Sequence, residues 1–217
     1  MLVRQNYYDE KRNKIKQRVL NVLHNLSQMT DYYNSYMEIP SIENREYILQ
    51  IENNVDNNER KIEEHILEAI SLQQLNLKET KWLLGMNRII RELERVGDQI
   101  VNVVTISDIN DVRVIKPLIR SFFNYEKVMI HWLLDGIENE NKIALKNVLD
   151  HDHHVNQLNK GTYQELIDSI NEQETITESR IKMIIISRFL ERIGDHLVNI
   201  ARTYLDLLND SQRLKGN

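Results

Sequence analysis

The chain writes nearly the same twelve residues twice, 97 positions apart: RELERVGDQIVN at 91–102 and RFLERIGDHLVN at 188–199. Eight of the twelve positions are identical, among them Arg91/Arg188, Glu94/Glu191, Gly97/Gly194, Asp98/Asp195 and Asn102/Asn199. A long-period repeat of this kind marks an internal duplication, so the chain must fold as two like units. Any account of the repeat must also explain why its polar residues recur as faithfully as its apolar ones.

Composition narrows the kind of unit. Two prolines and six glycines in 217 residues, with 28% charged residues, favour long helices over a turn-rich β protein. The length suits one large domain or two small ones. A net charge of −5 argues against a nucleic-acid footprint. The lack of cysteine excludes a disulfide scaffold and any thiolate metal site. The polar start, MLVRQNYYDEKRNK, has no apolar h-region and is not expected to be a secretory signal. Apolar runs such as Met183–Ile186 are far too short to span a bilayer. The expectation is a soluble, cytoplasmic protein without membrane insertion.

Helical periodicity runs almost throughout. Ile15, Val19, Val22, Leu26, Met29 and Tyr33 step by four and three, as on one face of an amphipathic helix. Pro40 interrupts it, and Ser41 suits the cap of the next helix, whose stripe is Ile48, Ile51, Val55, Ile62, Ile66 and Ala69. After a break near Gln74-Leu75-Asn76, a third helix carries Ile89, Leu93, Val96, Ile100 and Val103. Ser107–Asp111 reads as the linker, and Pro117 fits the first turn of a fourth helix. That helix carries Leu118, Phe122, Tyr125, Met129 and Leu133 and closes at Gly136 and the polar run 138–142. The fifth carries Val148, Val155, Leu158 and Leu166, with a break over 171–177. The sixth carries Ile186, Leu190, Ile193, Leu197, Ile200 and Tyr204. The fold class is therefore all-α: two tandem three-helix bundles, residues 1–108 and 109–217, each with the repeat on its third helix.

On a helix, Glu94, Asp98 and Asn102 share one sector with Arg91, while Leu93, Val96, Ile100 and Val103 occupy the opposite one. Glu191, Asp195 and Asn199 repeat the arrangement. A polar stripe opposite an apolar stripe is usually a solvated face, and Glu94 could pair with Arg91 or Arg95. Solvation does not require the same acid at the same place twice, however. Glycine inside a helix costs about 1 kcal/mol relative to alanine, and the chain accepts this at both Gly97 and Gly194. Close helix packing and room beside the acidic stripe both explain those glycines.

The preceding helix of each half offers a matching stripe. Helix two carries Glu52, Asp56, Glu59 and Glu63; helix five carries Asp152, Asn156 and Asn159, 100 residues later. Facing carboxylates repel unless a cation or protons intervene. Hard oxygen donors suit Mg, Mn, Ca or Fe, and tolerate Zn. The run His151-Asp152-His153-His154 could lend His153 or His154 to the second face, or be solvated. Arg91, Arg95, Arg188 and Arg192 could contact a partner or an anion, or pair within the stripe. Neither repeat holds a Glu-x-x-His motif of the di-iron bundles, and no phosphate-binding glycine loop or Ser/His/Asp triad is present. The chain is therefore not expected to be an enzyme. A metal-free helical adaptor with acidic docking faces is the competing reading.

The segments Leu93–Asn102 and Leu190–Asn199, each preceded by an acid-bearing helix, resemble the PhoU family of bacterial phosphate-transport and phosphate-signalling regulators. The resemblance covers essentially the whole chain. It implies a multinuclear metal cluster (Fe, Zn, Mn or Mg) on each bundle, held in the first by Glu52, Asp56, Glu94 and Asp98, with Glu59 kept nearby. The second would use Asp152, Glu191 and Asp195, with Asn156 and Asn159 where the family usually has acids. Asn102 and Asn199 match asparagines that end the motif. The second site is therefore expected to bind metal more weakly or to hold fewer ions. The resemblance further implies a homodimer that restrains the phosphate-starvation response, acting with the phosphate ABC transporter, through its ATPase subunit, and a sensor histidine kinase. A regulator of another transporter is the variant reading.

Overall fold

A computed structural model of the chain describes residues 2–39, 41–72, 74–107, 112–171 and 177–213. The described residues form six helices: α1 Leu2–Glu38, α2 Ile42–Leu72, α3 Leu77–Ile106, α4 Val112–Glu138, α5 Lys142–Asn171 and α6 Glu178–Arg213. No strand occurs among the described residues.

The apolar stripes become the core almost residue for residue. Ile15, Val19, Val22, Leu26, Met29 and Tyr33 of α1 are wholly buried, as are Leu93, Val96, Ile100 and Val103 of α3 and Leu190, Ile193, Leu197 and Ile200 of α6. Ser41 caps α2 by accepting from the Asn44 backbone N–H at 3.1 Å. Asn76 caps α3 through a reciprocal capping box with Glu79, which places one buried acid at a helix end. Pro40, the linker residues 108–111, the break at 172–176 and the Leu166 side chain lie outside the described residues.

Two expectations for α4 are corrected. The helix begins at Val112, so Pro117 lies inside it rather than in its first turn. Its buried face is Ile115, Ile119, Phe122, Phe123, Glu126, Met129, Ile130 and Leu133, while Leu118 and Tyr125 are only half-buried. Phe122, Met129 and Leu133 are in the core as expected, while Leu118 and Tyr125 pack at its edge and the residues that follow them, Ile119 and Glu126, take the core places.

Helices α1, α2 and α3 pack together as one bundle and α4, α5 and α6 as the other. The bundles lie side by side, joined by α3 against α6 and by α1 against α4. Lys81 Nζ donates to Asp210 Oδ2 at 2.7 Å near one end of the α3–α6 seam, and Glu92 meets His196 further along. Rising numbers on α3 therefore meet falling numbers on α6, and the two copies of the repeat run antiparallel. Along the α1–α4 contact, Lys116 pairs with Glu38 and Lys127 with Asp31, both at solvent-exposed edges.

Candidate metal centre

In the first bundle the acidic residues come from α2 and α3. Glu52, Asp56, Glu59 and Glu94 are half-buried, and Asp98 is exposed. The stripe thus sits on the shoulder of the core, not opposite it as the helical wheel suggests. Helix α2 passes beside Gly97 at ordinary packing distance: a Cβ there would lie 3.7 Å from Val55 Cγ1 and 4.0 Å from Glu52 Cγ.

The electrostatics show the crowding. Burial and the neighbouring Asp98, Glu59 and Asp56 push the Glu94 carboxyl up to about 7. Burial, then Asp56 and Asp98, raises Glu52. Burial, then Glu63 and Asp56, raises Glu59, with Arg91 and Arg60 opposing. Five carboxylates from two helices therefore feel one another, which is the juxtaposition expected from the spacing.

The second bundle repeats the plan with changes. Asp152 and Asn156 on α5 are half-buried and face Glu191 and Asp195 on α6. Burial raises Asp152, opposed by the Asn156 amide, which donates to Asp152 Oδ2 at 2.8 Å. Burial, then Asp152 and Glu191, raises Asp195. Arg188 Nη1 donates to Glu191 Oε2 at 2.7 Å. Asp152 Oδ1 is buried with no hydrogen-bond partner.

The flanking candidates divide. Arg91 bridges to Glu63 of α2 at 3.1 Å and Arg188 to Glu191, so these two serve as partners within the stripes; Arg95 turns to Glu92 at 3.2 Å, and Arg192 is exposed. Asn199 turns to the seam, donating to Glu92 Oε2 at 3.3 Å, while Asn102 is half-buried on α3. His153 bonds the Asp150 carbonyl through Nδ1 at 2.6 Å and lies near enough to Asp152 to lower its pKa. His154 stacks on Tyr125 of α4, with ring centroids 5.2 Å apart.

Sequence reasoning missed two acids. Glu92 joins the bundles, and its difference from Phe189 in the other repeat was the available signal. Glu126 is entirely buried, both oxygens lack a partner, and burial raises its pKa far above the carboxylate range. Its signal was a charge at a core step of α4.

The oxygen donors and the unpartnered Asp152 Oδ1 fit a hard cation. Among the described residues, no three His, Asp or Glu side chains stand in a ready-made cation cage. The arrangement concentrates carboxylates at two related helix grooves.

Fold and site together define a duplicated helical-bundle protein with an acidic groove on each half. The PhoU domain family matches residues 21–107 and 119–203, and the chain belongs to that family. A phosphate-specific transport system accessory protein PhoU homolog of Clostridium acetobutylicum is 25% identical over 172 residues, covering 77% of this chain and 78% of that protein. The crystal structure of PhoU from Pseudomonas aeruginosa shares the fold with a TM-score of 0.84 at 18% identity, covering 94% of this chain and 99% of the other. That of the phosphate transport system regulatory protein PhoU from Streptococcus pneumoniae gives 0.79 at 17% identity, covering 92% and 96%.

Proposed function

We propose that this chain is a metal-binding regulatory scaffold of phosphate uptake. It restrains the phosphate-starvation response by linking the high-affinity phosphate ABC transporter, at its ATPase subunit, to a sensor histidine kinase. The family membership and the names of its relatives support the phosphate-transport role. The observation that supports the metal reading is Glu94: the neighbouring carboxylates of Asp98, Glu59 and Asp56 crowd it on a half-buried face, and a cation relieves that repulsion.

The protein's own contribution is positional. Two bundles hold the acids on helices, and Gly194 lets α5 and α6 approach closely beside Asp152. A bound cluster of Fe, Zn, Mn or Mg would supply positive charge for a partner surface. No step of covalent chemistry is assigned to the chain. It acts at the cytoplasmic side of the membrane through its partners, as a homodimer; among the described residues no helix is long and apolar enough to cross a membrane.

Elemental analysis of the purified protein beside the variant Glu94→Ala/Asp98→Ala/Glu191→Ala/Asp195→Ala tests this reading. Metal in the wild type and none in the folded variant is the expected result. The lack of a ready-made cage favours a second reading, metal-free acidic docking faces. Metal in neither protein, with both still restraining the starvation response, would establish that reading instead.

A further inference from the structure

The two bundles are close enough copies to be compared position by position. Residues of α1 and α4 correspond at a spacing of 100, as do those of α2 and α5: Val22/Phe122, Met29/Met129, Ile48/Val148 and Val55/Val155 are wholly buried in each. Against that common plan, α5 is packed unevenly along its length.

Its start is firm. Asn141 caps it, accepting from the Ile143 and Ala144 N–H groups at 3.0 and 3.3 Å and donating to Asp135 of α4 at 2.7 Å. Ala144, Leu145 and Val148 are buried. Leu145 packs so closely over Gly136 that a Cβ there would lie 2.5 Å from Leu145 Cδ2.

From His151 onward the anchoring thins. His151 and Thr162 stand where α2 buries Ile51 and Ile62, so two apolar core places have become polar. In the first bundle Arg18 Nη1 donates to Asn58 Oδ1 at 3.0 Å and ties α1 to α2. The corresponding residues, Leu118 and Leu158, instead line a cleft of about 500 Å³ between α4 and α5, with Met183 of α6. Gly161 lies on this cleft, and a Cβ there would meet nothing within 4 Å.

The unpartnered polar atoms fall in the same part of the molecule. Among the described residues six buried side-chain atoms have no hydrogen-bond partner, and five belong to α4 and α5: both Glu126 oxygens, His151 Nε2, Asp152 Oδ1 and Asn159 Oδ1. Described residues of α1 and α2 contribute none. The ring of Tyr125, next to Glu126, lies 5.3 Å from His151 and 5.2 Å from His154, so this turn of α4 packs on α5. Each such atom costs free energy while buried and recovers it on reaching water. Lifting α5 lets water into this level of the bundle, so local opening is easier here than at the matching level of the first bundle.

We propose that α5 from His151 to Glu165 is a flap, hinged on the firm start of the helix, which lifts from α4 and α6 while the first bundle stays closed. Opening carries Asp152 and Asn156 away from Glu191 and Asp195. The second groove is therefore assembled only when the flap is down, and the scaffold has one moving part. The flap stands on packing and does not rest on the metal reading.

Amide hydrogen exchange of the full chain, followed by mass spectrometry in chelator, tests this. Residues 151–165 should be protected about tenfold less than 51–65, the matching stretch of α2, and less than 146–150 of α5 itself. Thr162→Ile, which restores the residue of the first bundle, should slow exchange over 151–165 and leave 51–65 unchanged. If Thr162→Ile does not fold, Glu126→Leu is used, and the same result is expected. Equal protection of 151–165 and 51–65 overturns the inference. Fast exchange over 151–165 that the folded variant does not slow overturns it too, because the packing named here is then not the cause.

Discussion

His196 Nδ1 sits 2.7 Å from Glu92 Oε2 across the α3–α6 seam. These are the two polar positions at which the repeat departs from its copy: Glu92 stands where the second copy has Phe189, and His196 where the first has Gln99. Arg95 and Asn199 also donate to Glu92, so one acid gathers both motifs. Replacing Glu92 with Phe leaves His196 and Asn199 without their acceptor. The expected loss is about 1–2 kcal/mol in denaturant unfolding. A double-mutant cycle with His196→Gln should show coupling of about 1 kcal/mol; additive effects would mean that the pair is only a contact.

The paired glycines should not respond alike to alanine. At Gly97 the added methyl meets only ordinary contacts of 3.7–4.0 Å, and alanine is the better helix former. Gly97→Ala should therefore be neutral or stabilise by up to about 1 kcal/mol. At Gly194 it meets Val155 and Asp152 at 3.1–3.2 Å, where neither can give way without disturbing the groove. Gly194→Ala should cost about 1 kcal/mol or more. Thermal melting of the two variants decides, and equal shifts would show that the two grooves have the same width.

Metal-free stability should fall as pH rises from about 4.5 to about 7. The Glu94 carboxyl is raised from 4.5 to about 7 in the folded chain, so the folded state holds a proton that the unfolded state releases over this range. The stability contributed by that proton is full below the lower value and lost above the upper one. A shift of this size unscreened corresponds to about 3 kcal/mol; on a half-exposed face solvent reduces it to about 1 kcal/mol. Glu52, Glu59, Asp152 and Asp195 are raised too and add in the same direction. Urea unfolding in chelator at pH 5 and pH 7.5 measures the effect. Glu94→Gln should flatten it, and a bound divalent cation should offset it at the higher pH.

Asn76→Ala should destabilise by about 1 kcal/mol, because it removes the acceptor for the Glu79 N–H at 2.9 Å and breaks the capping box. Glu79→Gln, which can still reach back to the Asn76 N–H, should retain most of that stability. Far-UV melting curves of the two variants make the comparison.

The helices and the duplication were legible because apolar period and repeated letters are properties of the chain itself. The stripes of α1, α3 and α6 became core without revision, and the carboxylates of Glu52, Asp56, Glu94 and Asp98 were brought together from spacing alone. What stayed hidden was set by neighbours in space. Helix α4 starts five residues before Pro117, so the proline lies inside it, where the usual first-turn preference of proline gave no sign of it. Glu126 was skipped because a charge at a core step reads as surface until the opposing helices are placed. Asn199 shares a stripe with Asp195, yet it serves the seam, since Glu92 offers it an acceptor that no wheel drawn for one helix can show.

The Glu92–His196 pairing has a mate by the internal two-fold: Gln99 and Phe189, the same two repeat positions with their helices exchanged. Gln99 Oε1 is buried there without a partner. In an assembly of two separate identical halves, both ends of the seam would have to carry the same pair. Fusion into one chain removes that constraint, so one end can carry an acid–histidine clasp while the repeat positions at the other hold Gln99 and Phe189. The molecule thereby acquires a left and a right, and two partners that meet its opposite sides need not compete for the same surface.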